Sequence, residues 1–147
     1  MGMKDHRFFG HENAFIKPID KRYGTLTPCE LYDALEHLWI ADTCAPRMRA
    51  KWNEENKTLG QCSITAFLVQ DIYGGEVKGV KLPDGNFHCF NIVGDCLFDL
   101  TSEQFGDQKL DYEHATPQDR DSHFAKLEKK ERYLLLKKRL EEYLGIA

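Results

Sequence analysis

No stretch of the chain holds the roughly 18 consecutive apolar residues of a membrane-spanning helix, and residues 1–20 lack the apolar centre of a secretory signal. These absences predict no membrane partner and place the chain in the cytoplasm. Neither sign of charge dominates: the net charge is −4 and the pI about 5.9, which gives no global attraction to nucleic acid. No Cys-x-x-Cys pair is present, so the spacing of a structural zinc site is missing and neither metal nor cofactor is expected. The five cysteines are an odd number and cannot all pair. Cys89 and Cys96 share a hairpin but fall about 13 Å apart along it, too far for a disulfide. Reduced thiols are therefore expected. Internal repeats, low-complexity tracts and a glycine-rich phosphate loop are also absent, and the apolar pattern of the tail is too short for a coiled coil.

What is present suits a single domain over residues 1–147, since 41% of the residues are hydrophobic and can form a real core. The organising stretch is Gly60-Gln61-Cys62-Ser63-Ile64-Thr65-Ala66-Phe67-Leu68. Ile64, Phe67, Leu68 and Ile72 recur at helical spacing, which predicts a buried helix with Cys62 in its first turn. The free N–H groups and positive dipole end there favour a thiolate, the nucleophilic form of cysteine. Downstream, residues 86–93 and 96–101 read as two strands joined by the two-residue turn Gly94-Asp95. That turn sets Val93 opposite Cys96 and Phe90 opposite Asp99, so His88, Phe90, Asp99 and Thr101 share one face. His88 and Asp99 then lie within side-chain reach of each other.

Each residue alone has an ordinary explanation. Cys62 reads as a small buried hydrophobe, His88 as a half-buried histidine, and Asp99 as a strand-end carboxylate capping the next turn. Together they supply a thiol nucleophile, a base and a group that orients the base.

The motif Gly60-Gln61-Cys62 on a helix, His88 on a strand and Asp99-Leu100-Thr101 on the next resembles the transglutaminase-like branch of the papain-like fold, over about residues 50–102. Across most of its length the chain also resembles the YunG-like family of small bacterial proteins. The first resemblance implies Cys62 as nucleophile, His88 as base and Asp99 as orienting acid. It also implies an amide or ester substrate, carried by a peptide or a small molecule. Ser63 stands where transglutaminases have Trp after the Cys, and Phe90 where they have Trp two residues after the His. Those departures favour the rival reading, a binding module that keeps the fold without the chemistry. A redox-sensing thiol at Cys62 is a third reading.

The remaining chain gives an α+β class: an antiparallel meander packed against a central Cys-bearing helix, with further helices on either side in sequence. Residues 1–24 have no clean period and read as an irregular arm, with His6 and His11 solvated. Thr27-Pro28-Cys29-Glu30 opens a helix with a capping box, whose buried stripe is Leu31, Leu35, Leu38 and Trp39. Residues 47–59 are a polar connector anchored by Trp52. Gln61, Asn56 and Trp52 are the side chains expected to help hold an oxyanion or substrate near Cys62. Residues 76–82 read as a strand. Thr116-Pro117 reads as a helix start, and 122–145 as a C-terminal helix lying over the sheet face that carries Phe87, Asn91, Val93, Phe98 and Leu100. The oligomeric state has no signature in the sequence.

Overall fold

The computed structural model describes residues 6–147; the first five residues of the expected irregular arm lie outside the described residues. Helix α1 (Pro28–Leu35) begins as its residue types require. The Thr27 hydroxyl accepts from the Glu30 N–H while the Glu30 carboxylate accepts from the Thr27 N–H, and Pro28 has no N–H to leave unpaired. Leu31, Leu35, Leu38 and Trp39 are all buried. Helix α2 (Cys62–Tyr73) is apolar on nearly every side and ends at Gly74, φ 81°. Such a helix must be covered on more than one side.

Strands β1 (Glu76–Lys81), β2 (Phe87–Val93), β3 (Cys96–Phe98) and β4 (Thr116–Pro117) form an antiparallel sheet in the order β3-β2-β1-β4. Val93 lies opposite Cys96 across Gly94-Asp95, the register that alternation requires. Two expectations change here. The second hairpin strand ends at Phe98, because Asp99 leaves the ladder and its N–H donates to the Phe9 carbonyl at 2.9 Å. Thr116-Pro117 is an edge strand and not a helix start, a position where proline's missing donor does no harm.

The tail also departs from expectation. Residues 122–145 are not one helix: α3 (Arg120–Phe124) stops short of α4 (Leu127–Leu144). Asp119 caps α3 by accepting from Ser122 N–H, and Arg120 clamps α3 to α2 through Asp71 at 2.6 Å and the Phe67 carbonyl at 3.1 Å. Helix α4 buries Tyr133, Leu136 and Leu140 against α2 rather than against the sheet. The sheet face carrying Cys89 and Asn91 is covered by α2 itself, with Asn91 Nδ2 donating to the Ala66 carbonyl at 2.9 Å. The opposite face, with His88 and Phe90, is roofed by residues 102–114: Phe105 meets His88 edge-on at 4.7 Å, and Tyr112 meets Phe90 at 4.8 Å. No helix among the described residues is long and apolar enough to cross a membrane.

Among its described residues the N-terminal segment has two single 3-10 turns, His11–Asn13 and Lys21–Tyr23, and it is docked. Phe8 and Ala14 are fully buried. His6 is not solvated as expected: it hydrogen-bonds Asp33 at 2.8 Å with its side chain 14% exposed. His11 is half-buried against the Phe8 carbonyl. Gly10 makes the docking feasible. Its φ is 86°, and a Cβ there would fall 2.1 Å from the Leu97 carbonyl oxygen and 2.8 Å from Phe98 Cα, both backbone atoms of β3. Gly10→Ala should therefore cost about 1–3 kcal/mol, read as a lower urea midpoint. An unchanged midpoint would show that this segment is not held against β3.

Candidate active site

The strand β2 and the turn after β3 bring His88 and Asp99 together. His88 Nε2 lies 2.6 Å from Asp99 Oδ2, and both side chains are 1% exposed. Asp99 Oδ2 also accepts from the Tyr112 hydroxyl at 2.7 Å, while Oδ1 accepts from the Thr101 N–H at 3.2 Å and from its hydroxyl at 3.4 Å. A carboxylate accepts at several lone-pair sites, so this buried group is well supplied with donors. Burial raises the Tyr112 hydroxyl, with Asp99 adding to the shift, so it remains a neutral donor.

The other ring nitrogen, His88 Nδ1, is buried and has no hydrogen-bond partner. Cys62 stands beside it at the first position of α2, partly exposed, with Sγ 3.9 Å from the Phe87 carbonyl. Gln61 offers no side-chain cap to the helix, so the Cys62 N–H belongs to the unpaired set at a helix start.

The electrostatics follow from these neighbours. A hydrogen bond from Cys89 lowers Cys62 below the usual thiol range; burial opposes this, and the nearby charge of His88 adds to it. Burial opposes the charge on His88, but the charge and hydrogen bond of Asp99, with Cys62 assisting, raise it to about 10. Cys89 is pushed upward by its hydrogen bond to Cys62 and by burial, so it stays a neutral thiol. Each group thus favours the charged form of the other, and the thiolate is the form in which a cysteine is nucleophilic.

A cleft of about 790 Å³ opens over Cys62 and His88, with Phe105, Gln118, His123 and Lys129 among its walls. Gln61, Asn56 and Trp52, the expected oxyanion and substrate contacts, do not line it. Gln61 is fully buried and donates to the Ile40 carbonyl at 3.1 Å, while Trp52 donates to the Lys57 carbonyl at 2.9 Å and ties the connector to itself. Asn56 takes part in the connector through backbone bonds to Asn53 and Leu59. A larger groove of about 1020 Å³ beside residues 106–113 includes neither Cys62 nor His88. Cys89, Tyr112, His123 and Lys129 were not anticipated. Alternation already put Cys89 on the strand face opposite His88, where α2 lies, so that signal was present; Tyr112 comes from an aperiodic segment, and His123 and Lys129 reach the cleft only through the packing of α3 and α4, which no local pattern shows.

A family model described as YunG protein matches residues 27–145. The chain is 37% identical over 65 residues to a Bacillus subtilis (strain 168) protein called "Uncharacterized protein YunG", a match covering 44% of this chain and 55% of the relative. The chain thus spans about half the length of the curated relative it matches. No solved structure matches.

The lowered thiol and raised imidazole define a pH window. Because the Cys62 value is depressed, the thiolate persists above it, and the imidazolium remains up to about 10. Alkylation of Cys62 by iodoacetamide should then be nearly flat between about pH 7.5 and 9, where an ordinary thiol of pKa about 8.5 still gains rate steeply. His88→Ala should restore the steep rise and slow labelling at pH 7 by about tenfold. Wild-type and variant profiles that superimpose would show that His88 does not act on the sulfur.

Proposed function

The chain belongs to the YunG family, and we propose that its cleft is the active site of a cysteine-nucleophile hydrolase or acyltransferase acting on an amide or ester. The observation that carries this reading is the division of labour on His88: Nε2 is bound to Asp99, while Nδ1 is unpaired beside Cys62. A histidine serving only as core would have both nitrogens satisfied. The order Cys62, His88, Asp99 and its resemblance to the transglutaminase-like branch of the papain-like fold support the same reading.

The chemistry then follows from the residues. The Cys62 thiolate attacks the carbonyl carbon, the C–S bond forms, and the carbonyl electron pair moves to oxygen. The Cys62 N–H, at the positive end of α2, is a donor for that oxyanion. As the carbonyl re-forms, His88 gives its Nδ1 proton to the departing amine or alkoxide, and an acyl thioester remains on Cys62. Water, for a hydrolase, or an amine, for a transferase, next attacks the thioester and loses its proton to His88; the C–S bond then breaks, releasing the acid or the new amide and restoring the Cys62 thiolate. Asp99 fixes the ring and stabilises its charge throughout. A peptide or a small molecule, met in the cytoplasm where thiols stay reduced, is the substrate of this reading.

A non-catalytic module is the second reading. Ser63 and Phe90 favour it, standing where transglutaminases place two Trp residues. Acylation separates the two. p-Nitrophenyl acetate should give a stoichiometric burst and an acetyl adduct on Cys62, absent in Cys62→Ser and about a hundredfold slower in His88→Ala. Slow acetylation spread evenly over the five thiols would reject the enzyme and leave the binding module.

A further inference from the structure

Lys129 on α4 lines the cleft together with Cys62. It is half-buried, and among the described residues no carboxylate lies within ion-pair distance of it. Its one side-chain partner is His123, with Lys129 Nζ 2.8 Å from Nδ1, and His123 Nε2 is in turn 2.9 Å from Gln118 Oε1. An ammonium has donors only, so Nδ1 is the acceptor and the ring proton sits on Nε2, directed to Gln118. Burial, with Lys129 adding to it, lowers His123 to about 4 and keeps the ring neutral. The relay spends one ammonium N–H and leaves two.

The charges around the cleft point the same way. Asp84 is paired with Arg47 at 3.8 Å and Glu128 with Arg132 at 2.8 Å, which leaves Lys126 and Lys129 in the lining with no carboxylate within ion-pair distance among the described residues. An excess of two positive charges beside the nucleophile stands out in a chain of net charge −4. Burying an ammonium away from any carboxylate is unfavourable unless a ligand completes it.

We infer that Lys129, held by His123 and Gln118, is the docking point for a carboxylate on the substrate, so that the cleft selects an acyl group or leaving group carrying negative charge. This rests on the Cys62 reading above and specifies its substrate class. The ammonium takes the carboxylate as a charge-assisted donor pair, and the substrate's reactive carbonyl is then set over Cys62.

Two alkylating reagents that differ in one group test it. Iodoacetate carries a carboxylate and iodoacetamide does not, so the ratio of their rates at Cys62 reports anion selection after cancelling thiol reactivity. The His88 charge acts on both wild type and variant and also cancels. Lys129→Met keeps the aliphatic stem and should lower the iodoacetate-to-iodoacetamide ratio about fivefold to tenfold. Lys129→Arg should restore most of it, and added salt should lower the ratio in wild type but not in Lys129→Met. A ratio unchanged in Lys129→Met, with Cys62 still labelled ahead of the other thiols, overturns the carboxylate site and leaves the enzyme reading intact. Should Cys62 show no preferential labelling, the enzyme reading fails, and succinate titrated into Cys62→Ser decides the site separately. A saturable shift of the Gln118 side-chain amide resonances, lost in Lys129→Met, supports it; no shift overturns it.

Discussion

The contact between His88 and Asp99 sets the terms for the rest of the molecule. Two charged groups, each 1% exposed, survive in a protein interior only when the geometry is close and the remaining lone pairs are occupied; removing one partner of such a pair typically costs about 3–5 kcal/mol. That requirement explains what surrounds it. Thr101 and Tyr112 supply the remaining donors to Asp99. Phe105 closes over the ring of His88 and Tyr112 over Phe90. Residues 102–114, with 3-10 turns and no long helix or strand, therefore act as a roof whose aromatic side chains exclude water from the pair. The consequence for Cys62 is direct: an imidazole held charged by Asp99 lowers the free energy of the neighbouring thiolate.

Helix α2 is the second organiser, because it faces three structures at once. Its first residue is Cys62, its middle accepts the Asn91 amide through the Ala66 carbonyl, and its Asp71 anchors Arg120 of α3. His123, distant in sequence but close in space, rests its ring 5.1 Å from Phe67 of the same helix. Cys62 and the cationic wall of the cleft are thus referred to one rigid element. Sites carried on helices and strands are held more accurately than sites carried on loops; here Cys62 sits on α2 and His88 on β2, while Asp99 sits in the turn just past β3.

Periodicity carried much of this into the sequence. Ile64, Phe67, Leu68 and Ile72 announce α2, and Gly94-Asp95 fixes the register that brings His88 and Asp99 to one face. The assignment of Asp99 as either a turn cap or a partner of His88 proved to be no choice at all, since one oxygen accepts from Thr101 and the other from His88. What stayed hidden depended on contacts between distant residues. Nothing local says that Asp99 leaves the ladder for Phe9, or that Gln61 turns inward to Ile40. The periodic stretch Leu127–Leu144 shows α4 itself, and Asp119 with Ser122 is a local sign for the start of α3; the break between the two helices has no such sign.

The bridge between Phe9 and Asp99 has a bearing on the order of assembly. The two residues are separated by most of the chain, so their pairing closes a very long loop, and long closures come late because their entropy must be met before contacts reward it. Helix α2 and the β2–β3 ribbon are local and can form early. The carboxylate bound to His88 reaches its final setting only when the N-terminal segment returns to lie along β3. The charged setting of the imidazole, and with it the downward pull on the Cys62 thiol, is then a property acquired at the close of folding.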